Sequence, residues 1–207
     1  MSKVGSGACG ATLRQLTGAP DKPNALSDSA LILIDCQTTY REGVMKLEGV
    51  EEALGHAKEL LDRARAAKRP IIHVRHNAGE GTPYDITAPI GQIAEEVSPK
   101  EDEPVVTKSF PSSFEQTNLQ ELLDGYGTKN LILAGFMTHV CVNSTARAAF
   151  NKGYQVTVVG EATATRNLPN PMKPDTVVPA QQTQDSSLAM LSDMFSVVAP
   201  KVSDIPE

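Results

Sequence analysis

Three side chains in this sequence have the types and the placement for nucleophilic catalysis. Cys141 opens an Ala- and Val-rich segment that reads as a helix. A helix N-terminus carries about half a positive charge and unpaired N–H groups, which together favour a thiolate and can bind an oxyanion. Asp35 closes the apolar run Ala30–Ile34. A carboxylate there can take a thiol proton and later deliver it to a leaving group. Lys108 closes the short run Val105–Thr107. Its ammonium can hold Asp35 ionised, lower the thiol pKa or steady developing charge. Taken singly, each has an ordinary structural use, as a small core residue, a turn former and a solvated lysine. Taken together they supply a nucleophile, a base and a cation, with no histidine required.

Whether they meet depends on the elements that carry them. Short apolar runs predict strands at 30–35, 70–75, 105–107, 130–134, 155–159 and 195–198. Between them, helical spacing predicts helices over 50–68, over 114–123 capped by Ser112 or Ser113, over 140–152 stopped by Gly153, and over 181–194. Residues 76–104 and 164–178 read as loops. Strands alternating with helices imply a parallel sheet covered on both faces. The expected fold is α/β, a three-layer α/β/α sandwich on a mostly parallel, Rossmann-like six-stranded sheet. In such sheets ligands sit outside the carboxyl ends of the strands. Asp35, Arg75, Lys108 and the segment ending in Cys141 all follow strands, so they should share one rim. Residues 1–28, rich in Gly, Ser, Ala and Pro, are expected to form an arm with little core of its own, ahead of a single domain over 29–207.

Composition narrows the partners. A net charge of −6 argues against nucleic acid or an anionic membrane, since both call for a basic face. No apolar run approaches the roughly 20 residues of a membrane span. Cys9, Cys36 and Cys141 form neither a disulfide framework nor a zinc pattern, and the N-terminus lacks the apolar stretch of a signal peptide. A reduced, cytoplasmic setting is expected.

Three stretches carry a resemblance: LILIDCQ (31–37), VVTKSFPSSFEQTNL (105–119) and ILAGFMTHVCVNSTARAAFNKGYQVTVVGEATAT (132–165). Over roughly residues 28–198 the chain resembles the isochorismatase-like cysteine hydrolases, which include nicotinamidases, N-carbamoylsarcosine amidohydrolase and isochorismatases. The resemblance implies a catalytic triad of Asp35, Lys108 and Cys141 and a cis peptide between Phe136 and Met137. It also implies an oxyanion hole made of the Met137 and Cys141 N–H groups. It implies a small-molecule substrate and, with the apolar arm, a homodimer or larger. Hydrolysis of a C–N bond in an amide or ureide through a thioester is the leading expectation. Isochorismate cleavage with Asp35 as proton donor is the alternative, and a non-catalytic binding protein on the same fold is the third reading. Members specialised for isochorismate often lack the cysteine, so Cys141 favours the first.

The sequence also departs from one branch of that family. Nicotinamidases carry an Asp-x-His element and further histidines for a metal, whereas residues 38–46 (TTYREGVMK) hold neither Asp nor His. No metal and no cofactor are therefore expected. His73 reads as a core histidine and His76 as loop surface or pocket wall. Gln37, two residues past Asp35, is expected to face the pocket and orient Asp35 or substrate. Tyr40, Phe110 and Phe136 are candidate apolar walls, and Thr138 and His139 candidate substrate contacts. Cys36 should point away from Asp35, to the other face of its strand. Cys9 has no activating partner, so Cys141 alone is expected to carry a lowered thiol pKa.

Overall fold

The computed structural model describes residues 10–207, so the expectation for Cys9 lies outside the described residues. Six strands form the central sheet: β1 (Ser29–Ile34), β2 (Ile71–His76), β3 (Val105–Lys108), β4 (Asn130–Phe136), β5 (Gln155–Ala164) and β8 (Val197–Ala199). Their order is β3-β2-β1-β4-β5-β8, and every neighbouring pair is parallel. A small antiparallel pair, β6 (Leu168–Pro169) and β7 (Val177–Val178), occupies the stretch expected to be loop. The connection runs leftward from β1 to β3 and then jumps back to β4. The crevice between the β1 and β4 ends is thus the point where strand order reverses, the preferred ligand position in open α/β sheets.

The alternation of β1 explains the two layers. Ala30, Ile32 and Ile34 enter one apolar core and Leu31 and Leu33 the other. Helix α2 (Val50–Ala66) covers the second with Val50, Leu54, Ala57, Leu61 and Ala64, all buried at helical spacing. Helices α3 (Leu119–Tyr126), α4 (Asn143–Asn151) and α5 (Ala180–Met194) cover the first. The sheet closes tightly at Gly135, which pairs with Ile34 at φ +115°; a side chain there would sit 2.0 Å from the Ile34 carbonyl oxygen.

Two helix starts need correction, and the end of the expected arm packs against the domain. Leu26 is fully buried, and the Asn24 side chain donates to the Leu131 and Gln155 carbonyls, beneath β4 and β5. The helix expected over 114–123 begins at Leu119, because Ser113 turns inward to hydrogen-bond Thr145 at 2.9 Å instead of capping. The one expected over 140–152 begins with a π turn over Thr138–Val142, and regular α-helix starts only at Asn143.

His73 is buried, as expected of a core histidine, and its Nε2 lies 2.9 Å from Glu103 Oε2. Burial alone would raise the Glu103 carboxyl, but donors from Arg65, the Lys100 backbone and His73 reverse that and hold it at about 2. Its stabilising contribution is therefore present at neutral pH and lost as pH falls through that value. Glu103→Gln should cost about 2 kcal/mol at pH 7, the range for hydrogen bonds to a charged group. Urea unfolding should show the difference from wild type narrowing as pH drops from the ordinary glutamate value of 4.5 towards 2.

Candidate active site

Each of the three chemical side chains sits at the carboxyl end of a strand. Asp35 follows β1 with φ 49°, a left-handed conformation that aspartate tolerates better than most residues. Lys108 ends β3, and Cys141 lies in the π turn after β4. The three converge: Lys108 Nζ is 2.7 Å from Asp35 Oδ2 and donates to Cys141 Sγ at 3.3 Å. All are buried, with Asp35 at 0%, Lys108 at 1% and Cys141 at 5% exposure. The lysine meets the carboxylate as a close, buried ion pair.

The electrostatics overturn one expectation. Burial, reinforced by the neighbouring Asp35 charge, pushes the Cys141 thiol up to about 12, and Lys108 only partly opposes this. The expected lowering fails because the side chain is sealed from water and faces a carboxylate as well as a cation. Burial also raises Asp35, with Lys108 pulling the other way. Lys108 loses some of its preference for charge to burial, but Asp35 and Cys141 outweigh that and raise its pKa. The resting arrangement is a thiol between an ion-paired carboxylate and ammonium.

The Phe136–Met137 peptide is cis. The Met137 carbonyl accepts from both Val140 and Val142, closing the turn that carries Cys141.

Residues 29–201 match the model of the isochorismatase domain. The chain belongs to the isochorismatase family. It is a hydrolase of that class, and it is similar to an isochorismatase from Pseudomonas putida KT2440 of known structure, with a TM-score of 0.91 and 40% identity over 95% of this chain and 100% of that one. It is 37% identical to a secreted isochorismatase effector of Verticillium dahliae, over 90% of this chain and 95% of the relative. It is 29% identical to a streptothricin hydrolase of Streptomyces noursei, over 86% of this chain and 64% of the relative.

Around this family centre, several expected contacts take other roles. Gln37 does not face Asp35. Its Oε1 accepts from the His76 N–H at 2.8 Å, and its Nε2 donates to the His76 and Gly91 carbonyls at 3.0 and 2.7 Å. Thr138 is buried and donates to the Ala164 carbonyl, fastening the turn to β5. His139 Nδ1 lies 2.6 Å from Thr165 Oγ1, so its ring is tied to the end of β5 and not to Cys141. Phe110 is 42% exposed and joins neither core. Tyr40 and Phe136 are buried and stack edge to face at 5.7 Å, which makes them a wall within the core. Cys36 is buried in the core opposite Cys141, and burial pushes its thiol far up. A cavity of about 660 Å³ lies between the start of α2, the end of β5 and the start of α5, lined by Ala164 and Thr165 but not by Asp35, Lys108 or Cys141.

Two neighbours complete the site: Tyr84, which the sequence did not single out, and His76, read there as loop surface or pocket wall and found at the end of β2. His76 Nδ1 lies 3.1 Å from Lys108 Nζ, and the Tyr84 ring packs edge to face on His76 at 4.9 Å. His76 is the register partner of Lys108 across β2 and β3. That pairing is the signal, and it appears only once the register is known.

Proposed function

We propose that this protein hydrolyses a C–N bond of a small amide or ureide, with Cys141 as nucleophile and a covalent thioester intermediate. The observation that carries the reading is the buried contact of Cys141 Sγ with Lys108 Nζ at 3.3 Å, the lysine itself paired with Asp35. Asp35 takes the thiol proton as sulfur attacks the substrate carbonyl carbon. The resulting oxyanion is held by the Met137 and Cys141 N–H groups. Asp35 returns the proton to the departing nitrogen, the C–N bond breaks, and a thioester remains. Asp35 then takes a proton from water, whose oxygen attacks the thioester. The C–S bond breaks and the proton goes back to sulfur, releasing an acid. Lys108 stays charged throughout and keeps Asp35 in its basic form before each attack. The streptothricin hydrolase among the relatives agrees with hydrolysis of a small molecule.

The test is intact-mass spectrometry after mixing with a panel of amides, ureides and isochorismate. An acyl adduct on Cys141 supports the reading. Turnover of isochorismate with no adduct establishes instead the enol-ether reaction, the activity named for the Pseudomonas structure. Binding without turnover of any of them leaves the non-catalytic reading.

The same reading includes a homodimer or larger assembly and a cytoplasmic site, where Cys36 and Cys141 stay reduced as the free thiols they are. No helix among the described residues is long and apolar enough to cross a membrane. Light scattering at micromolar concentration should give a mass at least twice that of the 22.1 kDa chain; a single 22.1 kDa species would remove the assembly from the reading.

A further inference from the structure

An ammonium has three N–H donors and no acceptor. Lys108 is buried, so each donor left without a partner is costly. Asp35 takes one and Cys141 Sγ the second. The third neighbour within reach is His76 Nδ1, at 3.1 Å. An imidazole nitrogen accepts from an ammonium only while it carries no proton, so this contact calls for neutral His76 with its hydrogen on Nε2.

The surroundings hold the ring in that place. Gln37 clamps the His76 backbone on both its N–H and its carbonyl, and Tyr84 packs against the ring. The charged and titratable groups facing His76 are Lys108 from β3, Asp35 from the end of β1 and Tyr84 from the following loop. Burial and the Lys108 charge lower the His76 pKa below the ordinary 6.5, and Asp35 opposes them weakly.

We propose that His76 is a positioning residue for this centre: its unprotonated Nδ1 fixes Lys108 so that the ammonium bridges Asp35 and Cys141, and Gln37 fixes His76. The inference rests on the reading of Cys141 as nucleophile, but it concerns a hydrogen bond that can be observed without any substrate. If His76 gained a proton, the acceptor would vanish and a second positive charge would stand beside the lysine. Lys108 would then turn away from sulfur.

Two measurements test this. In the first, ¹⁵N NMR follows the His76 ring against pH in the wild type and in Lys108→Met. The expected result is a neutral ring with hydrogen on Nε2, and a titration midpoint that rises when the lysine is removed. A ring with hydrogen on Nδ1, or a midpoint indifferent to Lys108, overturns the proposal. In the second, the rate of Cys141 alkylation by iodoacetamide is compared across wild type, His76→Asn and His76→Leu, with circular dichroism melts to confirm folding. Asparagine places an acceptor oxygen near the Nδ1 position and cannot titrate. His76→Asn should stay within about twofold of wild type near pH 8 and keep its rate below the His76 midpoint, where wild type loses more. His76→Leu should fall about tenfold, the equivalent of one pKa unit at sulfur. Equal impairment of both variants would reduce His76 to a packing role and overturn the proposal, as would no impairment in either. A wild type too slow to alkylate leaves the NMR measurement to decide the case of His76, while the absence of an acyl adduct with any substrate counts against Cys141 as nucleophile.

Discussion

Cys141→Ala will form no acyl adduct and will lose amide or ureide turnover by about 10⁴-fold or more, as expected when the member of a catalytic unit that bonds to substrate is removed. The fold should tolerate it. The change deletes one sulfur from a site lined by small and aliphatic neighbours such as Val142 and Ala146, and it leaves the Asp35–Lys108 ion pair whole. Steady-state rates on the substrate that gives the adduct, together with a thermal melt, check both halves. The pH profile of the wild type adds a second constraint. Asp35 must be ionised to take the thiol proton, and burial raises its pKa above the ordinary 3.8. Activity should therefore fall on the acid side through that raised value. Near-wild-type turnover of isochorismate by Cys141→Ala, lost in Asp35→Asn, would show that the cysteine is dispensable and that the enol-ether reaction is the real one.

Lys108→Met will be the most destabilising single change at the site, by about 3–5 kcal/mol at pH 8, because it leaves Asp35 as a buried charge without its partner. The loss has a definite sign against pH. Asp35 is already raised in the wild type by burial, with Lys108 holding it back. Without the lysine it rises further. A carboxyl whose folded pKa exceeds its unfolded value takes up a proton on folding, so the folded state is penalised as pH rises through that window. The gap between variant and wild type should shrink as pH falls to the ordinary 3.8 and below it, where the carboxyl becomes neutral in both folded and unfolded chains. Urea unfolding at pH 8, 6 and 4 measures this. The double change Lys108→Met with Asp35→Asn should recover much of the stability at pH 8 while staying inactive. A gap independent of pH would mean that Asp35 is not the group left uncompensated.

Much of this centre was legible in the linear chain. The apolar runs of β1, β2, β4 and β5 are continuous because both faces of a parallel sheet are buried, and a buried strand needs no polar alternation. A polar residue that ends such a run stands at the rim where ligands bind. That local rule placed Asp35, Lys108 and Cys141 together before any contact was known, and the order β3-β2-β1-β4-β5-β8 brings two of their strand ends to the point of reversal. The chemistry-bearing types and the fold class therefore came from short-range pattern. What the pattern could not reach was long-range. Gln37 and His76 are 39 residues apart, and His76 and Lys108 are 32 apart; their contacts depend on strand register, which nothing within either segment encodes. Ser113 follows the rule for a helix cap, yet a hydroxyl 32 residues away on Thr145 competes for it and wins. The thiol of Cys141 gave the sharpest lesson. From the sequence, a helix start beside a lysine argued for a lowered pKa. The tertiary structure surrounds it with packed side chains and sets Asp35 beside it, and burial outweighs the cation because removing water penalises charge more than one neighbour restores it. Residue type and local spacing determined which groups could react; only the packing of distant segments decided which of them carries the proton.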